Sequence, residues 1–202
     1  AVAVNGSLQS PELLVQLDNG DSHFAVNGKL RPFEPLLNRK IVNLNIDGRQ
    51  INPEWFDPSL PAADLVFNLA LNPAEEADTL AGLLEVRNQA PAPINGNGIP
   101  VAGINGKLKV DTSGKLHLDN VDTELAAGGR ITFNGNIDSA NQNMAVDAAV
   151  QQFKLQDILK QKLDLSLDGD IKLSGSLGSP QADWQLKAGQ TATSGTFQLL
   201  TD

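Results

Sequence analysis

The chain has no cysteine and no tyrosine, one methionine, two histidines and only 4% aromatic residues among 202. Each scarcity removes a class of function. Without cysteine there is no disulfide and no thiolate metal site, although a cysteine-free chain suits cytosol and periplasm alike. Seven Phe and two Trp leave few stacking surfaces for bases or sugars. Positive charge is also scarce: 15 Lys and Arg against 24 Asp and Glu give a net charge of −9, with a pI near 4.6. That balance argues against nucleic acid and against an anionic membrane surface, both of which select basic patches. No stretch approaches the roughly 20 apolar residues of a membrane-spanning helix, and no signal peptide is visible. Both ends lie in strand-like sequence, so the chain reads as an internal piece of a longer protein.

Catalytic constellations are missing too. His23 and His117 stand alone in polar contexts and read as surface residues. Asp164, Asp168 and Asp170 cluster on the polar side of an alternating run, without the spacing and distal Glu of a calcium loop. The Gly-rich stretch INGNGIPVAGING at 94–106 lacks the Lys-Ser/Thr of a phosphate-binding loop. No Gly-x-Ser-x-Gly elbow occurs. The sequence reads as a non-enzyme with no cofactor and no metal.

What the chain does have is period two. In LDLSLDGDIKLSGSL at 163–177, one parity carries Leu163, Leu165, Leu167, Gly169, Ile171, Leu173, Gly175 and Leu177, and the other only Asp, Ser and Lys. Side chains alternate across a strand, so such a run has one apolar and one polar face. The pattern returns at Phe24, Val26 and Leu30; at Val42, Leu44 and Ile46; and at Leu65, Phe67, Leu69 and Leu71. It returns again at Ile104, Leu108 and Val110; at Ile131, Phe133 and Ile137; and at Met144, Val146, Ala148 and Val150. This is the mark of antiparallel sheet with one solvated face. Two short helices are expected, at 153–162 with Leu155, Ile158 and Leu159 inward, and at 73–82, where Pro73 precedes Glu75 and Glu76. Segments 31–38 and 52–63 are Pro-containing connections, and 88–100 is either a linker dividing the chain or a long loop within one sheet.

One five-residue pattern recurs six times: V4-N-G-S-L8, V26-N-G-K-L30, I104-N-G-K-L108, F133-N-G-N-I137, L167-D-G-D-I171 and L173-S-G-S-L177. Asn-Gly between apolar residues normally signals a hairpin turn. A two-residue turn, however, would set Lys29 beside Val26 on the apolar side. Two adjacent three-residue turns would leave only Ile171–Leu173 as strand. Parity favours continuous strands with Gly6, Gly28, Gly106, Gly135, Gly169 and Gly175 on the apolar face, where they let a sheet bend or leave room over its backbone. A longer repeat also exists: residues 4–20 align without gaps on 173–189, sharing Gly, Ser, Leu, Ser-Pro, Gln-Leu and a final Gly. Such self-similarity suggests an elongated, repetitive β architecture.

An apolar sheet face must be covered, and helices are nearly absent. The sheet is therefore expected to fold over on itself as one all-β segment across 1–202. Its interior is either a packed core or a groove for acyl chains.

These residues, together with I51-N-P-E-W-F-D-P-S-L-P-A-A-D-L-V-F-N-L, resemble the TamB family of translocation and assembly module subunits, within the AsmA-like, bridge-like lipid transfer group. The family has similar stretches in which Asn-Pro and Leu-Pro pairs, here Asn52-Pro53 and Leu60-Pro61, precede an alternating strand. The resemblance implies a strongly curved antiparallel sheet, the β-taco, with a hydrophobic trough. It implies the periplasmic part of a protein anchored in the inner membrane of a Gram-negative bacterium, with the Omp85-type outer-membrane protein TamA as partner. Phospholipid or unfolded outer-membrane β-strands would be the cargo. The positions that would line the trough are the aliphatic and aromatic residues found by parity.

Overall fold

Period-two sequence becomes strand along most of the chain. The computed structural model describes residues 1–76, 78–157 and 165–198. It contains β1 (Val2–Ser7), β2 (Ser10–Asn19), β3 (Ser22–Leu30), β4 (Ile41–Ile51), β5 (Leu65–Pro73), β6 (Thr79–Asn88) and β7 (Val101–Asp111). These are followed by β8 (Lys115–Leu125), β9 (Arg130–Asp138), β10 (Asn143–Lys154), β11 (Ser166–Ser176), β12 (Ser179–Ala188) and β13 (Thr191–Gln198). All thirteen lie in one antiparallel sheet in chain order, each strand paired with its sequence neighbours. The sheet does not close into a barrel; it curves into an open trough with the apolar face inside. At about 4.8 Å per strand, the trough is roughly 58 Å long.

Helix is confined to one turn, α1 (Leu37–Lys40), and to 3-10 turns at Pro53–Trp55, Ile94–Gly96 and Leu155–Asp157 among the described residues. The expected helix at 73–82 is replaced by strand. Pro73 ends β5, Asp78 turns the chain with φ 55°, and Thr79 opens β6. The alternation Leu80, Gly82, Leu84, Val86 extends the apolar face, and its burial outweighs the helix-start signal of Pro73 and the two Glu. In the expected helix at 153–162, Phe153 and Lys154 still belong to β10. Leu155 opens a 3-10 turn, and Ile158 and Leu159 lie outside the described residues.

Successive connections alternate between two rims. One rim carries the long segments 52–64 and 89–100, which are tied together. The Ala62 N–H donates to the Asn97 carbonyl at 3.0 Å, and Asn97 Nδ2 donates to Glu54 Oε1 at 3.4 Å. Asn88, only 6% exposed, holds both segments. Its Oδ1 accepts from the Asp64 N–H at 3.2 Å and its Nδ2 donates to the Ile99 carbonyl at 3.1 Å. Strands β6 and β7, which flank 89–100, pair from Thr79↔Asp111 to Arg87↔Gly103, so the sheet runs on past this loop. The other rim has tight turns and α1, whose Asn38 Nδ2 donates to the carbonyls of Ala74 and Glu76.

Among the bulges that bend the sheet, three share one geometry. In β4, β8 and β10 two residues oppose one, and Gln50, Asn120 and Gln152 take φ of 50°, 49° and 49°. At two of them the single opposing residue caps the extra amide. The Asn120 N–H donates to Asn134 Oδ1 and the Gln152 N–H to Asp168 Oδ1, both at 2.8 Å. Each bulge strengthens local twist and shifts the parity of the apolar face by one.

Candidate functional site: the apolar face of the sheet

The register joins the apolar positions into continuous rows. One row crosses all thirteen strands: Val4, Leu13, Gly28, Leu44, Leu71, Gly82, Leu108, Leu118, Gly135, Val146, Leu173, Ala182 and Phe197. A second crosses twelve: Leu17, Phe24, Gly48, Phe67, Val86, Ile104, Thr123, Ile131, Val150, Gly169, Leu186 and Thr193. In the first row the small residues Gly28, Gly82, Gly135 and Ala182 fall on every third strand, so the face is regularly ridged. Burial extends from β5 to β12: Leu71, Leu80, Val121, Val146, Ala148, Val150 and Ala182 are all buried.

All six glycines of the recurring pattern lie within strands: Gly6 in β1, Gly28 in β3, Gly106 in β7, Gly135 in β9, and Gly169 and Gly175 in β11. Several have no free space above them. A Cβ on Gly28 would stand 2.7 Å from the Asn43 carbonyl oxygen, and one on Gly106 2.6 Å from Val121 Cα. Larger neighbours close over other glycines. Phe24 and Phe67, on the strands either side of Gly48, meet above it with ring centroids 6.3 Å apart. Trp184 lies over Gly195 and meets Phe197 at 5.7 Å. The glycines thus serve close approach and bending, and leave little empty room over the backbone.

Most of the expected lining falls on these two rows or on the neighbouring rows of the same face, which carry Val26, Ile46, Leu65, Leu69, Val110, Phe133, Ile137, Met144 and Ile171. Three positions differ. Val42 is skipped between Lys29↔Asn43 and Leu30↔Ile41, at a bulge. Leu165 precedes β11 and is exposed. Leu177 sits in the two-residue turn after β11, because the antiparallel neighbour β12 must begin at Ser179 to pair Gly175 with Pro180. Leu163 lies outside the described residues. Conversely, the face includes residues that the alternating runs did not reveal: Leu13, Val15 and Leu17 in β2, Leu84 and Val86 in β6, Leu116, Leu118 and Val121 in β8, and Trp184 and Leu186 in β12.

At the long-loop rim the apolar face ends in a pocket of about 320 Å³ lined by Leu17, Phe24, Ile51, Trp55 and Phe56, with Asp18, Ser22 and His23 at its edge. Trp55 and Phe56 are 52% and 77% exposed, yet their loop is held firmly. Asn52 Oδ1 accepts the amides of Glu54 and Ala63 at 3.2 and 3.3 Å, and the Phe56 N–H donates to the Pro53 carbonyl at 3.0 Å. The reading of 52–63 as a plain connection passed over this site; its one sequence signal is the pair of adjacent aromatics in the Pro-bounded segment P53-E-W-F-D-P58.

No family model, curated protein or solved structure matches the chain.

The opposite face is polar. His23 Nδ1 lies 2.6 Å from Asp18 Oδ1, and His117 Nδ1 2.9 Å from Asn136 Oδ1. A shallow depression of about 680 Å³ there is bordered by Asp147, Asp170, Lys172, Asp183 and Thr196. Among the described residues no His, Cys, Asp and Glu cluster is placed to hold a metal ion. No helix among them is long and apolar enough to cross a membrane.

Proposed function

We propose that the trough is a conduit for apolar chains. Phospholipid acyl chains, or apolar segments of nascent outer-membrane proteins, lie along its inner face. The observation that supports this most strongly is the register row from Val4 to Phe197: an apolar stripe as long as the sheet, with neither a helical layer nor a second sheet over it among the described residues. A soluble domain normally buries such a face against another layer. Here the sheet's own side chains close over one another along much of the stripe, with Val4, Leu17 and Phe197 exposed toward its ends; an apolar trough without a covering layer calls for a guest. On this reading, and in line with the resemblance to TamB, the chain is part of a periplasm-spanning scaffold of the translocation and assembly module. It works between the inner membrane and an Omp85-type partner, TamA, at the outer membrane. No side chain acts chemically; the trough contributes shape and desolvation.

The test is native mass spectrometry of the protein purified without detergent, followed by organic extraction. Co-purifying phospholipid that is lost in Leu108→Glu and Val146→Glu variants, while Lys109→Glu on the polar face keeps it, is the expected result. Lipid-free protein that takes up no phospholipid from vesicles would refute the acyl-chain reading. It would favour a β-repeat with a closed core and a purely structural or adhesive role.

A further inference from the structure

The chain carries seven Asn-Gly pairs, at Asn5, Asn19, Asn27, Asn95, Asn97, Asn105 and Asn134. Asn-Gly is the dipeptide most open to an internal reaction, because no Cβ on the glycine shields its amide nitrogen from the Asn carboxamide. The reaction needs that nitrogen free to turn onto the Asn Cγ, and the fold decides where it is free. In three pairs the sheet holds both residues. Asn27 lies between Leu14 and Asn45, and Asn105 between Glu85 and Asp122. Asn134 pairs with Asp147, and its Oδ1 accepts the Asn120 N–H at 2.8 Å. Their glycines, Gly28, Gly106 and Gly135, are mid-strand and packed against the next strand. The loop pairs are tied differently. The Gly96 and Gly98 N–H groups both donate to the Pro93 carbonyl, at 2.9 and 3.2 Å, and Asn97 is bound through its carbonyl to Ala62 and through Nδ2 to Glu54. Asn5, in the outermost strand, belongs to neither set.

Asn19-Gly20 differs from all of these. Asn19 ends β2 and pairs with Ser22, so Gly20 and Asp21 form a two-residue turn. Gly20 takes φ +61°, as the first turn residue of a type II′ hairpin does, and its N–H points away from the ladder. That N–H has no acceptor among the described residues, and no atom lies within 4 Å of where a Cβ would stand. Asn19 itself is exposed. The turn does not require an Asn. In the equivalent hairpin of the internal repeat, Ala188 holds its place, pairs with Thr191 and is followed by Gly189 at φ +59°.

We propose that Asn19-Gly20 is a self-modification site, where the folded chain converts asparagine to isoaspartate. The Gly20 nitrogen attacks Asn19 Cγ: the N–Cγ bond forms, the Cγ–Nδ2 bond breaks, and ammonia leaves with the amide proton. Water then opens the cyclic imide. Attack at Cγ gives aspartate; attack at the main-chain carbonyl carbon gives isoaspartate, with Gly20 now linked through the side chain. The second product adds one carbon to the main chain inside a two-residue turn and sets a carboxylate beside Asp18 and Asp21. It disturbs the contact of His23 Nδ1 with Asp18 Oδ1, at 2.6 Å, and the wall of the rim pocket that Asn19 helps to line. The reaction is internal to the chain and does not depend on cargo in the trough.

The test incubates the intact protein at physiological temperature and follows each Asn-Gly pair by peptide mapping, with isoaspartyl methyltransferase marking the product. Asn19 is expected to gain one mass unit and methyl acceptance first. Its rate should exceed those of Asn27, Asn105 and Asn134 by about tenfold or more, because their release needs a central strand to open rather than a turn to fray. In urea the same chain should lose this difference, which makes the fold and not the neighbouring sequence its cause. Asn19→Ala, which copies the Ala188 turn, should stay folded and lose the early methyl acceptance. Asn19 no faster than the strand pairs, the same ranking kept in urea, Asn95 or Asn97 reacting first, or early methyl acceptance that persists in Asn19→Ala would each overturn the proposal.

Discussion

Gly135→Ala separates this architecture from a generic sheet. Gly135 lies mid-strand in β9, between Leu118 and Val146, with φ +143°. An alanine there meets two penalties. The positive φ costs about 1–3 kcal/mol for a residue with a side chain. The new methyl would fall on the Ala145 carbonyl oxygen and 2.7 Å from Val146 Cα, and forcing backbone apart in a filled site costs about 1–3 kcal/mol more. The sum, about 2–6 kcal/mol, is a large part of the roughly 5–15 kcal/mol stability of a typical domain. With a urea m-value of about 2 kcal/mol/M, the midpoint should fall by roughly 1–3 M at unchanged m. Gly20→Ala is the control: its φ of +61° carries a strain cost, but nothing lies within 4 Å of the new methyl, so about 1 kcal/mol is expected. Gly135→Ala as stable as Gly20→Ala would refute the close approach of β9 to β10 on which the curvature rests.

Phe67→Ala removes the ring that meets Phe24 above Gly48; because Phe67 is half-buried, about 2–3 kcal/mol is expected, below the range for a fully buried Phe, by thermal or urea unfolding. Asp168→Ala takes the acceptor from the Gln152 amide at the β10 bulge, and should cost about 1 kcal/mol and speed hydrogen exchange at Gln152. Stability should fall on acidification. The Ser59 amide and hydroxyl hold Asp57 below the ordinary carboxylate range, the Ser113 hydroxyl and Lys115 amide hold Asp111, and the Asn141 side chain and amide hold Asp138. Their folded pKa values are depressed, so the contribution is present above the unfolded pKa and is lost as pH falls from about 4 downward. Unfolding midpoints measured against pH should show this, and Asp111→Asn, which keeps a capping oxygen, should flatten the profile.

The alternating runs made the fold class legible, and in β3, β5, β7, β9 and β11 they also identified the apolar face. What they missed has identifiable causes. In β8, Leu116 and Leu118 sit on even positions and Val121, Thr123 and Leu125 on odd ones, because the bulge at Asn120 switches parity within the strand. A strict period-two reading breaks there, as it does between Ile46 and Ile51 and between Val150 and Phe153. β2 hides its faces in the consecutive Leu13-Leu14-Val15. β6 hides behind PAEEAD, a helix-start signal that tertiary pairing overrides. Gly28 and Gly135 were readable as strand residues because parity argues against a two-residue turn and favours a continuous strand. That neighbouring strands and aromatic rings would close over the glycines depended on register, which no single strand encodes. The rim pocket needed Trp55 brought back against Leu17 and Phe24, a contact between segments 30 or more residues apart.

The most direct test of the open trough is photo-crosslinking in cells of the full-length protein with a benzophenone amino acid placed on either face. The pairs Leu108 and Lys109, Phe133 and Asn134, and Val146 and Asp147 each compare one inner position with one outer neighbour. The account predicts phospholipid or extended polypeptide adducts at Leu108, Phe133 and Val146 and none at Lys109, Asn134 and Asp147. Adducts equal on both faces, or none on the inner face while a known lipid carrier labels under the same conditions, would contradict it.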